Sequence, residues 1–206
     1  MQRYSKYSFL LFVGLLITSV NAQISVGIQG GLNSSIFNIP SSPPSSKMSY
    51  KNGLILGPII NYKITDNLSL QFEPRYVLKG YNVKVENIWN NYKSFNYLEL
   101  PFFINIEFNE LFGTDFQPLL AFGINAGYLL SAINELENHK TYDMTNDFKK
   151  IDITLDSGIG GKYYIESNID FIINLRYSYG IYNIYKSESS INTRGIQLLV
   201  GLLFKI

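Results

Sequence analysis

The sequence predicts an all-β fold: an eight-stranded antiparallel up-and-down transmembrane β-barrel. Apolar and polar residues alternate with a period of two in eight separate stretches. The connections between those stretches are in turn long and short. Aromatic residues of the apolar parity gather near the strand ends, as they do at lipid–water boundaries.

The opening MQRYSKYSFLLFVGLLITSVNA reads as a secretory signal peptide. Arg3 and Lys6 form its basic region, Phe9 to Ile17 its apolar core, and Val20-Asn21-Ala22 a small-residue cleavage site. The apolar run is shorter than the roughly 20 residues a membrane-spanning helix needs. Cleavage is expected after Ala22, leaving residues 23–206 as the barrel domain. That removal leaves 15 basic against 16 acidic residues, a balance that offers nothing to nucleic acid. The chain has no cysteine, so neither a disulfide nor a lipidated N-terminal Cys is available.

The strands follow in order. SVGIQGGLN sets Val26, Ile28 and Leu32 against Ser25, Gln29 and Asn33, and GLILGPIINYKI ends on Ile60, Tyr62 and Ile64 against Asn61 and Lys63. SLQFEPRYVLKGY is the clearest, with Leu70, Phe72, Pro74, Tyr76 and Leu78 opposing Gln71, Glu73, Arg75 and Lys79. NYLELPFFINIEF places Leu98 to Phe108 on one parity and Glu99, Asn105 and Glu107 on the other. QPLLAFGINAGYLLS interleaves Phe122, Ile124 and Tyr128 with Gly123, Asn125 and Gly127. The last three, IDITLDSGIGGKYYIE, IDFIINLRYSYGIYNI and GIQLLVGLLFKI, repeat the pattern.

Thr65-Asp66-Asn67 and Ser167-Asn168 are tight turns, and NELFGTDF is somewhat longer. The other four gaps are long and polar. SSIFNIPSSPPSSKMSYKN, rich in Ser and Pro, is expected to hold no fixed secondary structure. All four long gaps are expected to be mobile loops at the extracellular end.

Eight amphipathic strands suit a soluble lipocalin-like barrel with its apolar parity inside, or a membrane barrel with that parity on lipid. Small residues at Gly123, Gly127, Gly158, Gly160 and Gly201 fit the crowded interior of a narrow barrel. Apolar runs of ten to twelve residues match the roughly 9 to 11 that a tilted strand needs to cross hydrocarbon. Tyr76, Tyr128, Tyr177 and Tyr179 fall at one height, and Tyr62, Phe108, Tyr163 and Phe204 at the other. A soluble barrel has no reason to sort aromatics by height. The apolar parity therefore faces lipid.

The polar parity then lines the lumen. It brings Lys63, Arg75, Lys79, Lys162, Arg176 and Lys205 together with Glu73, Glu99, Glu107, Asp152, Asp156, Glu166 and Asp170. Eight strands leave an interior that side chains fill, so the expectation is a structural ion-pair network rather than an open pore. No catalytic, cofactor-binding or metal-ligating residue is assigned. His139 lies near Ser131, Glu135 and Glu137, but in a polar loop without a nucleophile motif. The glycines of GIQGG and GIGG precede no helix that would hold a phosphate.

QISVGIQGGLN, SLQFEPRYVLKGY, NYLELPFFIN, LLAFGINAGYLLSA, LRYSYGIYNI and GIQLLVGLLFKI resemble the PorT-like outer-membrane β-barrel family of Bacteroidetes-type Gram-negative bacteria. YLELP and LRYSYGIYNI are the most specific pieces. The resemblance implies a small eight-stranded outer-membrane barrel with no shared active site. The expected role is a non-enzymatic one in the cell envelope, structural or by interaction through extracellular loops. Two alternatives stand beside it: a component or assembly factor of a protein-secretion system, and a barrel enzyme acting on lipid or peptide. Expected partners are outer-membrane lipid, the barrel-assembly machinery and other envelope or secretion proteins.

Overall fold

The computed structural model describes residues 23–39, 46–85, 89–108, 115–186 and 191–206. The segment read as a signal peptide lies outside them. Ten strands run in chain order: β1 (Gln23–Asn38), β2 (Ser46–Thr65), β3 (Leu68–Phe72), β4 (Arg75–Val85), β5 (Trp89–Glu107), β6 (Phe116–Leu136), β7 (Thr141–Asp143), β8 (Ile151–Glu166), β9 (Ile169–Gly180) and β10 (Asn192–Lys205).

Eight strand lines build the wall. β3 and β4 together form one of them, since both pair with β2 on one side and β5 on the other. The break falls at Glu73-Pro74, where proline has no N–H to give the ladder. The Glu73 N–H still reaches the Pro101 carbonyl at 3.1 Å. Every pairing is antiparallel, and β10 pairs with β1 from Ser25↔Lys205 to Asn38↔Asn192, so the ladder returns to its start. β7 is a short addition to the top of β6.

The β1–β10 seam depends on glycine. A Cβ on Gly27 would stand 1.9 Å from the Leu202 carbonyl oxygen, and one on Gly31 2.0 Å from that of Leu198. No side chain can move aside, because the obstacle is backbone. Gly27→Ala is expected to destabilise the barrel by about 1 to 3 kcal/mol, the usual range for overpacking. Urea unfolding of the refolded protein, followed by heat-modifiable gel migration, measures it.

Burial alternates along the strands with the sense the sequence predicts. Ile28, Leu56, Phe102, Ile124, Leu155, Leu175 and Val200 face outward, whereas Gln29, Glu73, Glu99, Asn125, Asp156, Arg176 and Gln197 are buried. Tyr76, Tyr128, Tyr177 and Tyr179 are exposed at one height, and Tyr62, Tyr163 and Phe204 at the other.

The upper end departs from the expectation of long unstructured loops. β1 continues to Asn38 and β2 begins at Ser46, so strand occupies most of SSIFNIPSSPPSSKMSYKN. β4 and β5 likewise continue to Val85 and from Trp89. Tyr92 lies within β5 opposite Asn82 of β4. β4 thus rises about 30 Å of strand length above Tyr76. The outward face changes character where it leaves the apolar band. Tyr76 donates to Asn96 Oδ1 at 2.6 Å, and Asn96 in turn donates to Ser131 Oγ at 2.8 Å. Polar residues follow: Ser94, Asn82, Lys84 and Lys47. One side of the barrel is therefore taller than the other, since β8 starts at Ile151 opposite Tyr128.

Candidate functional site: a filled lumen

β4 carries Arg75 and Lys79 on its inward parity, with Glu73 just below at the β3–β4 break. β5 supplies Glu99, β8 supplies Asp152 and Asp156, and β9 supplies Arg176. The barrel brings these seven together across its axis. Arg176 and Glu73 form a bidentate pair, Nη1–Oε2 2.7 Å and Nη2–Oε1 2.8 Å, the fork geometry that suits a guanidinium to a carboxylate. Arg75 meets three carboxylates: Glu99 at 2.9 Å, Glu73 at 3.4 Å and Asp156 at 3.5 Å. Lys79 Nζ lies 2.7 Å from Glu99 and 3.0 Å from Asp152. All seven residues are buried.

The cluster holds three cations against four carboxylates. Hydroxyl and amide side chains donate further hydrogen bonds to three of the four carboxylates. Thr154 and Ser178 donate to Asp156 Oδ1 at 2.7 and 2.6 Å, Thr193 to Asp152 at 3.0 Å, and Gln71 to Glu73 at 2.5 Å. Charges removed from water persist only when paired and hydrogen-bonded in this manner. Arg176 also places its guanidinium carbon 4.0 Å from the centre of the Phe103 ring.

The other six residues of the expected network lie below this cluster. Lys162 pairs with Glu107, which also accepts from Ser69 at 2.6 Å. Lys205 pairs with Asp170 at 2.8 Å, and half-buried Lys63 turns to Asp66 in the β2–β3 turn at 3.2 Å. Glu166 is a correction. It is exposed at the β8–β9 turn, because a bulge between Tyr164 and Glu166 shifts the register and sets Glu166 opposite Ile169.

Alternation missed the apolar half of the lumen. Phe37, Tyr81, Phe95, Tyr97, Leu129 and Ala132 point inward above the ionic cluster. They are capped by Phe148 from the segment after β7 and by Ile184 and Ile191 from the β9–β10 connection. The two covering segments hold each other through Lys149 N–H to Ile184 O at 2.8 Å and a bridge between Phe148 and Tyr185. Phe95 packs on Phe37 at 4.5 Å and edge-on to Phe148 at 4.8 Å. Lower down, Phe103, Leu119 and Ala121 form a second inward group, and Ile59, Ile172 and Leu203 a third. A signal for them exists in the sequence: pairs such as Phe102-Phe103 and Leu202-Leu203 are apolar on both parities.

Ser131, His139 and Glu135 do not form a catalytic triad. His139 sits at φ 62° with its side chain 89% exposed, 3.5 Å from Glu135. Ser131 instead accepts from Asn96 on the outer face.

A closed ring of amphipathic strands, apolar outside and ionic within, defines an integral membrane β-barrel. The chain belongs to the outer membrane protein beta-barrel domain family, which matches residues 19–186; the barrel's place is accordingly the outer membrane of a Gram-negative cell. Among solved structures it is similar to Neisserial surface protein A, at 14% identity and TM-score 0.57, covering 91% of this chain and 100% of that one. It is also similar to the outer membrane protein OprG from Pseudomonas aeruginosa, at 12% identity and TM-score 0.50, covering 90% and 95%. At these identities the likeness is one of fold. No curated protein matches by sequence.

Proposed function

We propose that the protein is a non-catalytic barrel of the outer membrane that acts through the surface it holds outside the cell. The filled lumen carries this reading. Seven buried ionic side chains and an apolar cap occupy the space that a pore or an active site would need. The end with the chain termini and short turns faces the periplasm, and the tall wall faces outward, the usual sense of such barrels. Residues 1–22 direct export and are absent from the mature chain, which N-terminal sequencing tests.

Planar-bilayer recording tests the lumen. The expected result is no large, stable single-channel conductance. Stable openings in most insertions would mean an open pathway and a transport role.

The resemblance of YLELP and LRYSYGIYNI to the PorT-like family supports a second reading, a component or assembly factor of an envelope protein-secretion system. Cross-linking in intact cells separates the two: secretion proteins among the recovered neighbours favour the second, and lipid with the assembly machinery alone favours the first. Unchanged lipid A and absent hydrolase activity are expected of the purified protein under both.

A further inference from the structure

Charge is sorted along the barrel axis. Among the described residues, the strand extensions and connections at the upper end carry nine basic against four acidic residues; the lower end carries three against five. On the outward face of the tall wall the basic residues gather. Lys47 of β2 stands directly opposite Lys84 of β4, and both are exposed. Among the described residues neither has an acidic partner. Like charges facing each other across a strand pair are unfavourable unless an anion lies between them.

Nearer the membrane, Lys51 lies across Gly80, donates to Ser94 Oγ at 2.7 Å and holds its ammonium 5.9 Å from the centre of the exposed Tyr92 ring. Glu135 of β6, opposite Tyr92, borders the group on its far side. All of these sit above Tyr76 and Asn96, where the outward face turns from apolar to polar. They look sideways, over the lipid surface, rather than up from the barrel mouth.

We propose that this wall, through Lys47, Lys84 and Lys51 with Tyr92, binds the phosphate-bearing sugars of an outer-leaflet glycolipid. The wall is continuous with the lipid-facing surface, so a ligand anchored in that leaflet presents its headgroup at this height. The lysines supply the charge, and the tyrosine ring supplies a flat face for a sugar. The inference rests on the outward orientation given above.

The test uses the full mature chain refolded in detergent micelles. Binding is compared for lipopolysaccharide, its dephosphorylated form, and free inorganic phosphate as competitor. The wild type is expected to prefer the phosphorylated form, and K47Q/K84Q to lose about thirty-fold in affinity for it, each lysine contributing as a basic residue does near an anionic membrane surface. K140Q/K186Q, with the same charge change in the upper connections, is expected to bind as wild type. Equal affinity for both lipopolysaccharides, an unchanged K47Q/K84Q, or equal loss in the control would overturn the proposal. So would displacement of the glycolipid by millimolar phosphate, which would leave only a site for a free anion. Orientation is read separately, by an impermeant thiol reagent on Lys140→Cys in intact cells. Labelling with no glycolipid preference sinks the site alone, whereas absent labelling sinks the orientation beneath it.

Discussion

Arg75→Met is expected to lower the unfolding free energy by about 3 to 5 kcal/mol, the usual consequence of breaking a buried ion pair from one side. Arg75 is fully enclosed and touches Glu73, Glu99 and Asp156. Methionine fills much of its volume, so packing loss is a minor part of the effect. What remains is a larger carboxylate excess in a buried cluster, with Lys79 and Arg176 too few to balance it. The double replacement Glu73→Leu with Arg176→Met removes a whole bidentate pair and is expected to cost less than the sum of its single changes, since neither leaves the other unpaired. Urea titration in lipid vesicles reads both. An Arg75→Met protein unfolding at the wild-type midpoint would mean that water reaches the cluster and screens it.

Ile124→Arg is expected to destabilise by about 2 to 4 kcal/mol, the penalty for a guanidinium at the bilayer midplane on a barrel's lipid face. Ile124 stands outward between Phe102 of β5 and Leu155 of β8, midway along the apolar stretch of β6. Ile133→Arg, on the same strand but above the band, is expected to change stability by less than about 0.5 kcal/mol, as exposed substitutions usually do. The contrast isolates the environment, because strand and substitution are the same. A barrel surrounded by water would tolerate arginine equally at both positions.

These two results rest on features of different legibility. The outward face was readable because lipid on one side and crowded polar groups on the other impose period two, and SLQFEPRYVLKGY through GIQLLVGLLFKI obey it. The central ionic residues followed from parity alone. Glu166 did not, since a bulge is chosen by the partner strand and leaves little mark on the strand that carries it. The tall wall was hidden for another reason. Above Tyr76 and Asn96 the apolar band has ended, the outward face is polar, and the sequence from Ser46 to Asn52 loses the contrast that marks a strand. The apolar cap was hidden because Phe95 and Tyr97 occupy the parity of Glu99. Only their contact with Phe148 and Ile184, distant in sequence, makes that parity apolar at the top of the lumen.

Fluorescence of a single tryptophan at residue 102 tests the central orientation most directly. In a Phe102→Trp protein with Trp89 replaced by phenylalanine, refolded into vesicles, lipids brominated along their acyl chains are predicted to quench the emission and aqueous iodide to leave it untouched. Quenching by iodide with no response to the brominated chains would put this face in water and contradict the membrane barrel.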